Sequence, residues 1–221
     1  MAAKNPDANP NRVFKNFIGG KWVDSTSGKS RPNLNPADTR QPLGVAPQSV
    51  AADAEAAVAA AKAAYKAWRK TPAPRRGAIM VAASRIMERR KDEIVHMLVA
   101  EEGKCPSEAG GEVQRAINAM EFLGGEGRRM NGETIPSEMP RTFAYTVRQP
   151  LGVVGVVTPW NFPVCIPVWK IAPALVAGNT VVFKPATDTP LCAQLVTQVF
   201  ADAGAPRGTI NLVLGSGATV G

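Results

Sequence analysis

Residues 151–190 read LGVVGVVTPWNFPVCIPVWKIAPALVAGNTVVFKPATDTP, and this stretch decides the fold. A short β-branched run, Gly152 to Val157, ends in a Pro/Trp/Asn/Pro corner from Pro159 to Pro163. A longer apolar segment, Val164 to Ala177, is stopped by Gly178-Asn179, and a second short run, Thr180 to Phe183, delivers Lys184-Pro185. Two short apolar runs around a longer one with a glycine stop predict strand, helix, parallel strand. Open parallel sheets bind ligands beyond the carboxyl ends of their strands, so Asn161 and Lys184, polar and placed at those ends, are the first functional candidates.

Outward from this unit the same rhythm continues. Leu191 to Ala203 is a predicted amphipathic helix, with Thr187, Asp188 and Thr189 as candidate caps and Pro190 at an early helical position. Ile210 to Leu214 is the predicted third parallel strand, and GSGATVG, residues 215–221, places a glycine-rich turn directly after it. The last strand is expected to lie unpaired on one side, with its following helix missing, so the chain reads as a fragment of a βαβ fold.

Upstream, Phe17 to Val23 predicts a hairpin turned at Gly19-Gly20, and Asn33 to Asp38 a turn-rich loop. Ser49 is the expected cap of a first helix, followed by helices from Arg75 to Arg90, Asp92 to Ala100 and Glu108 to Met130. Thr142 to Val147 alternates as a strand. The first 16 residues are expected to be a loose lead-in without the apolar core of a signal peptide.

Composition narrows the function classes. A net charge of +8 raises nucleic acid, but acidic residues interrupt each basic run and no reading motif is present, so solvated charged faces are the reading. No apolar stretch has the length of a membrane span. Cys105, Cys165 and Cys192 are widely spaced, and the single histidine, His96, has no ligand at metal-binding spacing. No metal site is expected, and a reducing cytoplasm fits.

The motifs Thr158-Pro159-Trp160-Asn161-Phe162-Pro163, Lys184-Pro185-Ala186 and the Gly217/Gly221 pair, with Asn35-Pro36, Glu102-Gly103-Lys104 and Trp169-Lys170, resemble the NAD(P)-dependent aldehyde dehydrogenase superfamily. In texture the chain is most similar to the dehydrogenases of 2-oxoglutarate semialdehyde (2,5-dioxovalerate). The resemblance implies an α/β aldehyde dehydrogenase-like fold: an incomplete nucleotide-binding domain with a Rossmann-type parallel sheet. It divides the chain into a helical part of that domain (17–140), a strand of a bridging, oligomerising element (141–150) and the first part of the Rossmann-type core (151–221).

The resemblance also implies roles. Asn161 would donate to the oxyanion formed when a thiolate attacks an aldehyde; on the local sequence alone it reads equally as a helix cap. Val157, Thr158, Pro159 and Trp160 would pass the cofactor, Lys184, Ala186 and Thr187 would meet its adenosine ribose, and Gly217 and Gly221 would lie near its pyrophosphate. Thr187, where many NAD-preferring relatives carry glutamate, permits NADP as well as NAD; a plain helix cap is its other reading. Lys170 would assist proton movement or lend positive potential at the entrance, or is simply exposed. Cys165 would be a wall residue, because the family's nucleophilic cysteine and its base come from a portion not contained in these residues. The parent would be a homodimer or homotetramer acting on a small aldehyde, and the fragment alone inactive. An acyl-CoA-forming relative and a non-catalytic nucleotide- or partner-binding module are the alternatives.

Overall fold

The computed structural model describes residues 8–221. Of the expected lead-in, residues 1–7 lie outside the described residues. The remainder is not loose: Phe14 is buried, its N–H donates to the Val45 carbonyl at 2.9 Å, and Val45 N–H returns a bond to Arg12 at 2.8 Å.

The strands are β1 (Asn16–Ile18), β2 (Lys21–Val23), β3 (Ser30–Asn35), β4 (Asp38–Pro47), β5 (Thr134–Ile135), β6 (Ala144–Tyr145), β7 (Val153–Val157), β8 (Thr180–Lys184) and β9 (Ile210–Leu212). The helices are α1 (Ala51–Trp68), α2 (Ala73–Arg89), α3 (Lys91–Glu102), α4 (Pro106–Glu126), α5 (Cys165–Val176) and α6 (Pro190–Asp202). Five strands form one sheet in the order β2-β1-β9-β8-β7; β7, β8 and β9 run parallel, and α5 and α6 make the crossovers. The α/β parallel core expected from residues 151–190 is therefore present. Helix α1 packs on the sheet, where Thr180 Oγ1 donates to the Ala61 carbonyl at 3.0 Å. Helices α5 and α6 pack against α2, α3 and α4, burying Met80, Met87, Leu98, Met120, Ile171 and Phe200 between them. Each such side chain contributes about 1.5–3 kcal/mol by leaving water.

Gly19 and Gly20 turn the β1–β2 hairpin with φ of +60° and +80°, the left-handed pair that a two-residue hairpin turn requires. The loop expected at Asn33 to Asp38 is the tip of a second hairpin, β3–β4, which has register shifts beside Leu34. Pro32 and Pro42 hide it from a search for alternating strands, because proline is tolerated on two-stranded edges.

The unpaired last strand is overturned. β9 lies between β8 and β1, with Phe17 opposite Leu212 in antiparallel pairing. Its residues are wholly buried. The open side of the parallel run among the described residues belongs instead to β7, where Leu151 is 93% and Val157 67% exposed. Hydrogen exchange checks this arrangement. We expect slow exchange at the β9 amides and fast exchange at the outward-facing amides of β7; the reverse order would show that β1 does not close the sheet.

Candidate active-site corner and cofactor face

The carboxyl ends of β7 and β8 are registered, with Val157 opposite Lys184, and the Thr158 N–H donates to the Lys184 carbonyl at 3.1 Å. Val157 is exposed, whereas Thr158 is buried and its Oγ1 has no hydrogen-bond partner. Pro159, Trp160 and Asn161 follow on an exposed corner before α5.

The corner is held from outside its own segment. Lys104 Nζ donates to the Asn161 carbonyl at 2.7 Å, sits 4.2 Å from the centroid of the Phe162 ring and pairs with Glu112 at 2.6 Å. Glu112 is buried in α4, and its Oε1 accepts from Val164 N–H at 2.8 Å and Cys165 N–H at 3.0 Å. The first amides of α5 are thus capped by a carboxylate from another helix, which also meets the positive end of the helix dipole. Asn161 makes no side-chain cap for α5, whose preceding residue is Val164. Its amide is left facing outward at the end of β7.

A second carboxylate repeats the device. Glu101, buried at the end of α3, accepts from Leu191 N–H and Cys192 N–H, each at 2.7 Å, and from Asn33 Nδ2 at 2.5 Å. These bonds cap α6 and tie it to β3. Thr187, Asp188 and Thr189 do not cap it through their side chains. Burial pushes the Glu101 carboxyl up to about 7, against the pull of its donors. At α1 the cap is Asp53, which takes the Val50 N–H at 3.0 Å. The expected Ser49 cap instead exchanges hydrogen bonds with Asn16.

Lys184 is buried, and its ammonium donates to the carbonyls of Pro185 at 2.5 Å and Gly215 at 3.0 Å, bracing the turn after β9. Burial lowers its pKa. Ala186 and Thr187 line a cavity of about 290 Å³ with Gly215, Ser216 and Thr219. The chain beyond β9 makes a helical turn in which Val220 N–H donates to the Ser216 carbonyl at 3.0 Å. A Cβ at Gly221 would stand 2.7 Å from the Gly217 carbonyl oxygen, so that position has no room for a side chain, whereas Gly217 faces open space. Lys170 is exposed on α5, apart from this bracing. Cys165 is fully buried, and burial with the nearby Glu112 charge pushes its thiol up to about 12. Such a thiol stays protonated near neutral pH.

The strand ends thus carry the exposed Asn161, the unpartnered hydroxyl of Thr158 and, beyond β9, a glycine-containing turn. Residues 22–221 match the aldehyde dehydrogenase family. The chain belongs to the aldehyde dehydrogenase family. It is 48% identical over 209 residues to the alpha-ketoglutaric semialdehyde dehydrogenase of Bacillus subtilis, covering 95% of this chain and 43% of that protein. With the 2,5-dioxopentanoate dehydrogenase of Saccharolobus solfataricus it shares 43% identity over 204 residues, 92% of this chain and 42% of that one. The fold matches an NADP-dependent enzyme of E. coli with a TM-score of 0.91 and 36% identity, over 94% of this chain and 43% of that chain. It also matches betaine aldehyde dehydrogenase from Staphylococcus aureus in complex with NAD+, at 0.90 and 32%, over 93% and 41%. The chain therefore spans less than half the length of these relatives.

Lys104, Glu112 and Glu101 were not singled out from the sequence as site residues. The signal was present: Glu112 interrupts the apolar stripe Ala109, Val113, Ala116, and Glu101 follows Ile94 and Leu98 on an inward helical face. An acid on such a stripe has to find donors.

Two tests follow from these carboxylates. Lys104→Met leaves the Glu112 charge buried without its partner, and a loss of about 3–5 kcal/mol in unfolding free energy is expected. Denaturant unfolding measures it, and adding Glu112→Gln should restore part of the loss. For Glu101, the folded carboxyl keeps its proton to about 7, while the unfolded one releases it near 4.5. The native state binds more protons between those values, so unfolding free energy should fall as pH rises from about 5 to 7. Glu101→Gln should flatten that slope.

Proposed function

We propose that this chain is the cofactor-side part of an NAD(P)-dependent dehydrogenase that oxidises 2-oxoglutarate semialdehyde, or a similar carboxylated aldehyde, to the acid. Family membership and the semialdehyde dehydrogenases among its relatives support the reaction class and the substrate. The observation that carries the site is the outward, uncapped amide of Asn161 on a corner braced by Lys104 and Glu112.

The residues present fit a dinucleotide. The first amides of α5 and α6 are already occupied by Glu112 and Glu101, so the helical turn after β9 is the remaining place where amides at a strand's carboxyl end can meet a pyrophosphate. Gly221 packs on the Gly217 backbone and Gly217 is open, so at neither position does a side chain stand between that backbone and a ligand. Thr158 Oγ1 is a buried hydroxyl with an unused bond beside that face. Ala186 and Thr187 wall the cavity where the adenosine ribose would lie, and Val157, Pro159 and Trp160, exposed at and after the end of β7, would pass the cofactor toward the corner. When bound, NAD(P)+ accepts the hydride from the aldehyde carbon.

In this reading a cysteine outside these residues attacks the aldehyde carbon, and the carbonyl oxygen becomes an oxyanion as the C–S bond forms. Asn161 donates its amide N–H to that oxygen, and again when water attacks the thioester and the thiolate leaves. Lys104 fixes the Asn161 backbone, so the donor needs no reorganisation as the charge grows. Lys170, on the exposed face of α5, supplies positive potential toward the entrance. The β5–β6 arm bears Phe143, Tyr145 and Val147, exposed by 75%, 62% and 63%, and we assign it to a bridging contact between subunits of a homodimer or homotetramer.

Asn161→Ala tests the assignment in a polypeptide that joins this chain to the portion its relatives contain beyond it. A fall in kcat on the order of 10²–10³, roughly 3–4 kcal/mol, is expected with little change in coenzyme Kd. Because Glu112 and not Asn161 caps α5, Tm should hardly move. Near-parental turnover would remove the oxyanion role, and collapsed coenzyme affinity would move Asn161 to the cofactor shelf.

A further inference from the structure

The cavity beside Thr187 has one wall that the ribose reading does not use. That wall comes from the N-terminal β3–β4 hairpin, and it brings Lys29 and Arg31 into the same cavity as Ala186, Thr187, Ser216 and Thr219. No acidic side chain lines it. Arg31 is paired with Asp188 at 2.5 Å, so that carboxylate, the nearest acid on the β8–α6 loop, is neutralised from the cavity side. Among the described residues Lys29 has no acidic partner: its N–H donates to Ser27 Oγ and its carbonyl accepts from Gln48. Lys184 spends its ammonium on the Pro185 and Gly215 carbonyls and does not line the cavity. The net charge of the cavity is thus positive and comes from the N-terminal strand. Two cations and several hydroxyls in a pocket without acids make a phosphate site.

We propose that Lys29 and Arg31 hold the 2′-phosphate of NADP, and that these N-terminal residues set a preference for NADP over NAD. The proposal rests on the placement of the adenosine ribose at Ala186 and Thr187. Lys29 acts as the unpaired point charge and Arg31 as a fork shared with Asp188. Thr187 adds a hydroxyl donor, where a glutamate would repel the phosphate.

The test is titration of this chain at low salt with 2′,5′-ADP and with 5′-AMP, by calorimetry. Binding of 2′,5′-ADP about tenfold tighter than 5′-AMP is expected, with the gap narrowing as salt screens the charges. Lys29→Ala should bring the two ligands to within about twofold, and Lys29→Arg should keep the gap, since a point-charge contact to phosphate needs a cation rather than one particular head group. Asp188→Asn, which frees Arg31, should widen the gap, and Thr187→Glu should weaken 2′,5′-ADP while sparing 5′-AMP. Lys29 is exposed, so its variants should melt with the parent. Equal binding of both ligands, or a gap that survives Lys29→Ala, overturns the proposal and leaves the ribose placement standing. Binding of neither overturns both.

Discussion

The structure depends on two buried glutamates that cap helices not their own. Glu112 reaches from α4 to the start of α5, and Glu101 from α3 to the start of α6. Each satisfies two amides that would otherwise be orphaned at a buried helix end, where an unpaired group costs about 1–3 kcal/mol. A buried carboxylate is itself expensive, and here its oxygens are satisfied by backbone amides and by Lys104 or Asn33. The result is geometric as much as energetic. The helical layer and the parallel sheet are locked at the carboxyl ends of β7 and β8, where the proposed catalytic corner lies.

This locking also partitions the site. In a doubly wound sheet any helix N-terminus at the strand ends attracts an anion. With α5 and α6 neutralised internally, the turn after β9 keeps the amides that the proposed pyrophosphate contact would use. The corner after β7 offers no free helix amides, and the role proposed for it needs a neutral donor on a fixed backbone instead. The same family frame that suggests Asn161 as an oxyanion donor thus acquires a local physical reason for that division.

Much of this was legible in the chain. Short β-branched runs around a helical segment disclosed β7, α5 and β8, and turn chemistry disclosed the Gly19-Gly20 hairpin. What escaped were relations between distant residues. No local pattern tells that Phe17 will lie opposite Leu212 and close the edge of β9. The β3–β4 hairpin escaped because its prolines and shifted register break alternation. Ser49 looked like a cap by type, yet a side chain from the first strand, Asn16, had the better claim to its hydroxyl. Glu101 and Glu112 were visible as acids on apolar stripes, but which amides they serve is decided only by packing.

Those distant relations share one direction. Asn16 accepts from the Leu214 N–H at 2.8 Å, Phe17 pairs with Leu212, Asn33 donates to Glu101, and Arg31 holds Asp188. The first two tie an N-terminal strand to the end of β9, and the others reach Glu101, which caps α6, and the loop between β8 and α6. A segment attached only by its chain end could move without disturbing the cofactor face. One attached at the exits of β8 and β9 cannot, because its hydrogen bonds are the same ones that set the loops carrying Thr187 and Ser216. The N-terminal hairpins therefore brace the loops around the cavity beside Thr187, and in the proposed nucleotide site their charges would act on a ligand at contact range, where intervening water and salt screen least.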